Sequence, residues 1–265
     1  MWWKALAGND KSSPAYDRGL AYDLLPSGWR NVVRPRRLYP RLHHGNVELR
    51  TAYLDGAVAD AAREARRDGR GDGARIRLVC LGAGYDTRGV KMLERGLVDE
   101  VVELDLPTVV AAKKRLFARL LRRRPGLRSL QMPTLVPADF NDDPAVLEQK
   151  LGVALDEGIT ADPLAPAEKD WYTIFVFEGV MIYLKEGVPT TLLGMTSSAL
   201  QRRRLDGALC FADRLENIPG GEFDAAVQEL EKNGWRIKDW CPKPGLARHM
   251  GSAELMYPCG ASEQQ

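Results

Sequence analysis

The segment at residues 75–107, RIRLVCLGAGYDTRGVKMLERGLVDEVVELDLP, constrains the fold of this chain more than any other. It predicts an apolar strand, a Gly-Ala-Gly turn, a helix and a second strand that ends on the acidic residue Asp105. Gly82 and Gly84 carry no Cβ, so a ligand can approach the backbone there, and the helix that follows points its N-terminal N–H groups toward that ligand. An acid at the end of the second strand can accept hydrogen bonds from the hydroxyls of a ribose. The segment therefore predicts a site for a cofactor that contains a nucleoside.

The details of the turn disfavour a nicotinamide dinucleotide as that cofactor. The dinucleotide fingerprint has a third glycine three residues after the second, and Thr87 stands at this position. GAGYDTR followed by VELDLP instead resembles the leucine carboxyl methyltransferase family, as does FEGVMIYL at residues 177–184. The two blocks occur in the family's order, about 70 residues apart. The resemblance covers residues 47–193 and implies a Rossmann-like methyltransferase fold of seven strands, with S-adenosyl-L-methionine as the cofactor.

Strand and helix patterns alternate from residue 76 onward. Strands are predicted at residues 76–81, 100–104, 134–137, 173–177, 208–212, 235–240 and 254–258. Helices are predicted at residues 47–67, 108–123, 144–155, 188–203 and 223–233. Strands that are separated by helices predict an α/β fold with a mostly parallel, doubly wound sheet. The last two strands leave no room for a crossover helix, so we expect them to form an antiparallel hairpin at one edge.

The predicted organisation is one methyltransferase domain with an N-terminal helical cap. The cap covers residues 1–73, and the S-adenosylmethionine-binding domain covers residues 74–265. The sequence RRDGRGDG at residues 66–73 ends the cap and connects it to the first strand. Residues 1–46 are rich in Pro, Arg and aromatic side chains, and we expect them to form a lid over the predicted site together with residues 141–170.

Ligands of such sheets bind beyond the carboxyl ends of the strands. The first four predicted strands end on the glycine turn, Asp105, Asp139 and Glu178. Three acids at successive strand ends indicate a binding site, although each acid could instead cap the helix that follows it. Glu103 lies on the same face of its strand as Asp105 and is the alternative ligand for the ribose. We prefer Asp105 because it is nearer to the strand end.

The family resemblance implies a role for each part of this edge. The cofactor would lie against the turn formed by Gly82, Ala83 and Gly84, and Asp105 would bind its ribose. Asp139 and the backbone of the next residue, Phe140, would then hold the adenine, because they follow the third strand.

The resemblance also implies contacts with the methionyl end of the cofactor. Glu178 would meet the ammonium group, and Arg50, in VELRTAYLD, would clamp the carboxylate with its guanidinium fork. A lysine near the N-terminus contacts the cofactor in parts of the family, and Lys11 is the candidate here. Tyr183 is expected to line the pocket for methyl transfer, so Glu178 and Tyr183 are the predicted catalytic residues.

Composition disfavours several other functions. The formal net charge of +2, from 38 basic and 36 acidic side chains, disfavours nucleic acid and an anionic membrane as partners. Arginine runs at residues 34–37, 122–124 and 202–204 are predicted to be solvated surfaces. No stretch approaches the roughly 18 apolar residues that span a bilayer, so no membrane span is expected.

The cysteine and histidine residues predict neither disulfides nor a metal site. Four cysteines lie in or beside apolar runs without a C-x-x-C pair, which indicates buried free thiols: Cys80, Cys210, Cys241 and Cys259. His43 and His44 are adjacent and have no Asp, Glu or Cys ligands in a metal-binding pattern. The expected compartment is the cytoplasm, or the stroma or matrix of an organelle if a transit peptide was removed.

The expected activity is S-adenosylmethionine-dependent O-methylation of a carboxylate, on a small molecule or a protein C-terminus. A carboxylate is ionised at neutral pH and needs no base, and the sequence offers no obvious base besides Glu178 and Tyr183. One alternative is a methyltransferase-like scaffold or a subunit of a larger assembly. This alternative is suggested by the short connection between residues 213 and 223, where the family often carries insertions for substrate recognition. The other alternative is a nucleic-acid methyltransferase that uses the arginine runs.

Overall fold

The computed structural model of the protein describes residues 2–25, 41–67, 74–156, 171–213, 215, 223–241 and 249–257. Within these residues, seven strands form a single sheet. They are β1 (Arg75–Leu81), β2 (Glu100–Asp105), β3 (Thr134–Pro137), β4 (Trp171–Glu178), β5 (Asp206–Asp213), β6 (Trp235–Cys241) and β7 (His249–Leu255). The predicted α/β fold with a mostly parallel sheet of seven strands is therefore confirmed.

Eight helices are described around this sheet. They are α1 (Trp2–Gly8), α2 (Leu20–Leu24), α3 (Arg41–Arg67), α4 (Arg88–Glu94), α5 (Pro107–Arg123), α6 (Pro144–Asp156), α7 (Val188–Arg203) and α8 (Phe223–Lys232). Helices α3, α4 and α5 cover one face of the sheet, and α6, α7 and α8 cover the other. The sheet is thus doubly wound, as the alternation of patterns predicted.

The strand order is β3-β2-β1-β4-β5-β7-β6. Strands β1 to β5 are parallel, whereas β7 is antiparallel to both of its neighbours, β5 and β6. The expected antiparallel pair at one edge is present, with the later strand on the inside. The predicted position of the last strand, 254–258, was wrong, because Gly251 and Ser252 interrupt its apolar pattern. Gly251 is needed there, since a Cβ would come within 2.5 Å of the Phe211 ring.

Helix α3 shares its core with the sheet. Leu54, Val58, Ala62 and Ala65 recur at the spacing of one helix face and are buried against β1, β4 and β5. The shorter helices α1 and α2 pack on each other, and they reach α3 and α5 respectively. The division of the chain into a cap over 1–73 and a domain over 74–265 stays a prediction.

Three of the four cysteines lie in the described residues and are free thiols. Cys80 and Cys210 are buried as predicted, and burial raises the pKa of Cys210 to about 12. Cys241 is half-buried at the end of β6, and Cys259 lies outside the described residues. Of the described helices, none is both long and apolar enough to cross a membrane.

Candidate functional site

The parallel register brings the predicted site residues to one edge of the sheet. Asp105 at the end of β2 lies beside Pro137 of β3, and Glu178 at the end of β4 lies beside Ala212 of β5. The glycine turn follows β1, the strand between β2 and β4. This carboxyl edge is where a doubly wound sheet binds its ligands.

The turn after β1 depends on glycine at two positions for different reasons. Gly82 has a φ of +72°, and a Cβ there would approach Val180 Cγ2 to 2.5 Å. Gly84 has a φ of +49°, but no described atom lies within 4 Å of the place where its Cβ would be. Gly82 therefore lets the turn pack beneath the segment after β4. Gly84 leaves open space above the backbone, as a bound cofactor would require.

Asp105 and Glu103 lie on the same strand but have different environments. Asp105 is partly exposed and accepts hydrogen bonds from the N–H groups of Gly84 and Leu106, so it is tied to the glycine turn. Glu103 is buried beneath α4 and α5 in an ion pair with Lys113, and burial raises its pKa. The carboxylate of Asp105 faces the edge and that of Glu103 does not. The geometry therefore favours Asp105 as the ribose ligand.

Asp105→Ala should weaken the binding of S-adenosylhomocysteine about tenfold or more, because it removes the predicted acceptor for the ribose hydroxyls and the support of the glycine turn. Glu103→Gln should lower the unfolding temperature, because it leaves the buried ammonium of Lys113 without its counterion. Its dissociation constant for S-adenosylhomocysteine should stay within about threefold of the wild-type value. Isothermal titration and thermal melts of both variants test this ranking. An equal loss of affinity in both variants would contradict it.

Asp139 and Phe140 follow β3 at the same edge. Asp139 accepts a hydrogen bond from the Asn141 N–H at 2.9 Å, whereas Asp143 caps α6 by accepting from the Ala145 N–H. The alternative in which Asp139 is the helix cap is thus wrong. The side chain of Phe140 is buried in the core. The predicted contact with adenine involves the backbone of Phe140, and this contact stays a prediction.

Glu178 is the centre of a cluster of cations. Its carboxylate accepts from Lys4 Nζ at 2.7 Å and from Arg50 Nε at 2.9 Å, and it contacts Arg88 Nη2 at 2.8 Å. Burial alone would raise the pKa of Glu178, but the three cations outweigh it and lower the pKa to about 2. Glu178 and Arg50 are thus brought together as predicted, and Glu178 is fully ionised at neutral pH.

Asp86 and Arg88, in the glycine turn, extend this cluster. Asp86 Oδ2 contacts Arg88 Nη1 at 2.7 Å and Lys4 Nζ at 2.9 Å. Asp86 Oδ1 also accepts from the backbone N–H groups of Thr87 and Arg88 and so fixes the turn. Burial would raise the pKa of Asp86, but Arg88 and Lys4 hold it well below its usual range.

Lys4, and not the candidate Lys11, is the described lysine that reaches this cluster, and a contact of Lys11 with the cofactor stays a prediction. Lys4 lies in the first helix and its side chain is mostly buried, whereas Lys11 is exposed. The sequence carried a signal for Lys4, because it is the only charged residue in the apolar segment WWKALAG. A second missed residue is Asp55, the one acid on the buried face of α3, which pairs with Arg88 and Lys91.

Asp213 is a further residue that sequence reasoning missed. It ends β5, is fully buried, and accepts from the N–H groups of Val180 at 2.6 Å and Met181 at 3.0 Å. These bonds hold the turn that follows Glu178. Extending the search for acids at strand ends from the fourth strand to the fifth would have found it.

Other predicted positions lie away from this cluster. Tyr183 ends a short 3₁₀ helix after β4 and is 76% exposed, so its place in a pocket for methyl transfer stays a prediction. His43 and His44 lie on α3, but their side chains are outside the described part of the chain. No group of His, Cys, Asp and Glu in the described residues could hold a metal ion. Residues 34–37 are also outside the description, and Arg122 and Arg202 are exposed.

The fold and the site together define a class of protein. A seven-stranded sheet with an antiparallel strand next to one edge, a glycine turn with open space above it, and acids at the ends of β2 and β4 fit a cofactor with a nucleoside and an amino-acid end. This is the class of S-adenosylmethionine-dependent methyltransferases.

The chain belongs to the leucine carboxyl methyltransferase family, which it matches over residues 32–196, more than half of its length. This confirms the resemblance stated from the sequence, and S-adenosyl-L-methionine is the cofactor of the family. A comparison with curated protein sequences gives no match.

Several solved structures are similar to this chain at low sequence identity. Magnesium protoporphyrin IX methyltransferase (ChlM) from Synechocystis PCC 6803 with bound SAM is 11% identical with a TM-score of 0.48, covering 91% of this chain and 97% of that one. The pyocyanin biosynthetic protein PhzM is 15% identical with a TM-score of 0.41, covering 83% and 60%. The glycopeptide N-methyltransferase MtfA is 18% identical with a TM-score of 0.39, covering 77% and 99%. At these TM-scores the similarities carry no inference about the acceptor.

Proposed function

We propose that this methyltransferase transfers the methyl group to a carboxylate oxygen, on a small molecule or a protein C-terminus. The observation that supports this acceptor is the state of the ionisable groups along the carboxyl edge. A hydroxyl or amine acceptor usually needs a base to remove a proton, whereas a carboxylate arrives as the nucleophile.

Three ionisable groups described near the ends of β4, β5 and β7 are poorly suited to act as that base. Glu178 has a pKa of about 2 and is occupied by three cations, and Asp213 accepts two backbone N–H groups. His249 is the only histidine whose side chain is described, and its Nδ1 accepts from the Leu215 N–H at 3.2 Å. Its neutral ring therefore carries the proton on Nε2, which is then a donor and not an acceptor.

Methyl transfer to a carboxylate neither takes up nor releases a proton. The cofactor supplies a methyl group already activated by a sulfonium. The acceptor oxygen forms a bond to the methyl carbon, and the carbon–sulfur bond breaks with its electron pair left on sulfur. The products are a methyl ester and S-adenosylhomocysteine. What the protein must supply is the alignment of oxygen, carbon and sulfur, and the exclusion of water.

The cluster around Glu178 would hold the amino-acid end of the cofactor. In the proposed arrangement the ammonium group meets Glu178, and the carboxylate is met by Arg50 and Lys4, which now contact Glu178 directly. Their side chains are 22% and 14% exposed, so both can turn toward a ligand at the edge. Asp105 would hold the ribose, and Asp139 would hold the adenine.

The reaction is tested with methyl-labelled cofactor and an extract of the protein's source, followed by mild alkali. A methyl ester releases its label as volatile methanol, and separation by size tells a small acceptor from a protein. Label that stays non-volatile after alkali would overturn carboxyl methylation. Cofactor binding without any transfer would favour the scaffold, and label released by nuclease would favour the nucleic-acid methyltransferase.

A further inference from the structure

We infer that Arg88 is a positioning residue, which holds the carboxylate of Glu178 in place for the amino-acid end of the cofactor. The inference deepens the proposed function and rests on it. Arg88 begins α4, directly after the glycine turn, and its side chain is only 1% exposed. It sits behind Glu178 and not at the open edge, so it acts through Glu178.

The guanidinium of Arg88 uses each of its three nitrogens on a different carboxylate. Nε contacts Asp55 at 2.8 Å, Nη1 contacts Asp86 at 2.7 Å and Nη2 contacts Glu178 at 2.8 Å. The contacts with Asp55 and Asp86 are hydrogen bonds, whereas the contact with Glu178 is an ion pair without hydrogen-bond geometry. A planar guanidinium reaches all three acids at once, whereas the ammonium of a lysine is a single point charge on a flexible stem. The arrangement therefore favours arginine over lysine.

Contacts on the side away from Glu178 hold the Arg88 side chain in place without any ligand. Asp55 lies on α3 and is itself paired with Lys91, and it holds the Nε side of the guanidinium. The backbone N–H of Arg88 donates to Asp86, the same residue that its side chain contacts. Two different elements, α3 and the glycine turn, thus set the position of the guanidinium.

This arrangement separates the three cations around Glu178 into two kinds. Arg50 and Lys4 are partly exposed and can turn to the carboxylate of a ligand. Arg88 is enclosed and stays with Glu178 when the other two leave. A buried carboxylate that lost all its cations would be costly, so Arg88 keeps Glu178 charged while a ligand ammonium approaches.

A consequence is that Arg88 matters only for ligands that carry the amino-acid end. S-adenosylhomocysteine has that end, whereas 5′-methylthioadenosine keeps the adenine and ribose but lacks the ammonium and carboxylate. A residue that merely supports the fold would affect both ligands alike. The ratio of the two affinities therefore distinguishes positioning from structural support.

The experiment is isothermal titration of both ligands with the wild-type chain, Arg88→Met, Arg88→Lys and Asp55→Asn. We expect Arg88→Met to weaken S-adenosylhomocysteine binding about thirtyfold or more, while 5′-methylthioadenosine stays within about twofold. Arg88→Lys should restore only part of the loss, because lysine cannot bridge three acids. Asp55→Asn should weaken S-adenosylhomocysteine binding by a smaller factor and should also leave 5′-methylthioadenosine binding nearly unchanged. Arg63→Met, an exposed arginine on α3, is the matched control and should change neither affinity.

Equal losses for the two ligands, or full affinity in Arg88→Met, would overturn the inference. If Arg88→Met does not fold, the ratio of affinities in Arg88→Lys and Asp55→Asn decides in the same way. Failure of the wild-type chain to bind S-adenosylhomocysteine would instead overturn the proposed function. The two failures are therefore distinguishable.

Discussion

Glu178→Gln is expected to raise the dissociation constant for S-adenosylmethionine at least a hundredfold. The amide keeps the shape of the side chain but removes the negative charge that would meet the ligand ammonium. It also leaves Lys4, Arg50 and Arg88 crowded around a neutral group. Removing one partner of a buried ion pair costs about 3–5 kcal/mol. If this free energy is lost from binding, the dissociation constant rises more than a hundredfold. Isothermal titration measures the dissociation constant of each variant.

Glu186→Gln is the matched control. Glu186 lies eight residues further along and is exposed, so the same substitution should leave affinity within about twofold. Affinity in Glu178→Gln that remained within threefold of wild type would contradict the placement of the methionyl end at this cluster.

The same glutamate gives stability a pH dependence. Because the folded-state pKa of about 2 lies below the ordinary value of 4.5, the ionised form of Glu178 stabilises the fold. This stability is fully present above about pH 4.5 and is lost as the pH falls toward 2; it amounts to roughly 3 kcal/mol. Urea unfolding of wild type and Glu178→Gln between pH 3 and pH 7 should therefore show a difference that narrows as the pH falls. A constant difference would contradict the low pKa.

Asp213→Ala is expected to destabilise the fold by about 3 kcal/mol and to weaken methyl transfer. It removes the acceptor of two hydrogen bonds, at 2.6 and 3.0 Å, from the N–H groups of Val180 and Met181. A buried donor that is left without a partner costs about 1–3 kcal/mol. The turn that it holds follows Glu178 and packs over Gly82, so its loss disturbs the edge where the methyl group would be transferred. Urea unfolding gives the stability, and single-turnover kinetics gives the transfer rate.

Asp224→Ala is the control for this change, because Asp224 is exposed in the first turn of α8. We expect it to cost less than about 1 kcal/mol. A loss of stability in Asp213→Ala no greater than in this control would show that the turn is held by other contacts.

Most of the fold could be predicted because its elements obey local rules. Helix α7 was predicted at both ends, since Pro189 and the arginines at its C-terminus mark its limits. Strands β1 to β6 were predicted within about two residues at each end. For β1, β2, β4 and β5 the reason is a nearly continuous apolar run. Strand β7 was placed too late, since HMGSAEL lacks such a run and its position is set by pairing with β5 and β6.

The candidate site was predicted only where chemistry coincides with a strand end. Asp105 and Glu178 could be named because the ends of parallel strands meet at one edge. The partners of Lys4, Asp55 and Arg88 could not be predicted, because they depend on how α1 and α3 pack against the glycine turn. Contacts of this kind join residues up to 174 positions apart, and no local pattern encodes them.

The place of β7 inside the sheet has a consequence for synthesis on the ribosome. Strand β6 emerges first, yet among the described strands its partner is β7, so it joins the sheet only when β7 has emerged and paired with β5. Until then the edge of β5, with apolar Leu209 and Phe211, stays open, and an open apolar edge invites pairing with other chains. The nascent protein therefore closes its sheet only after residue 255 has left the exit tunnel. A chaperone that shields β5 would be most useful during that interval.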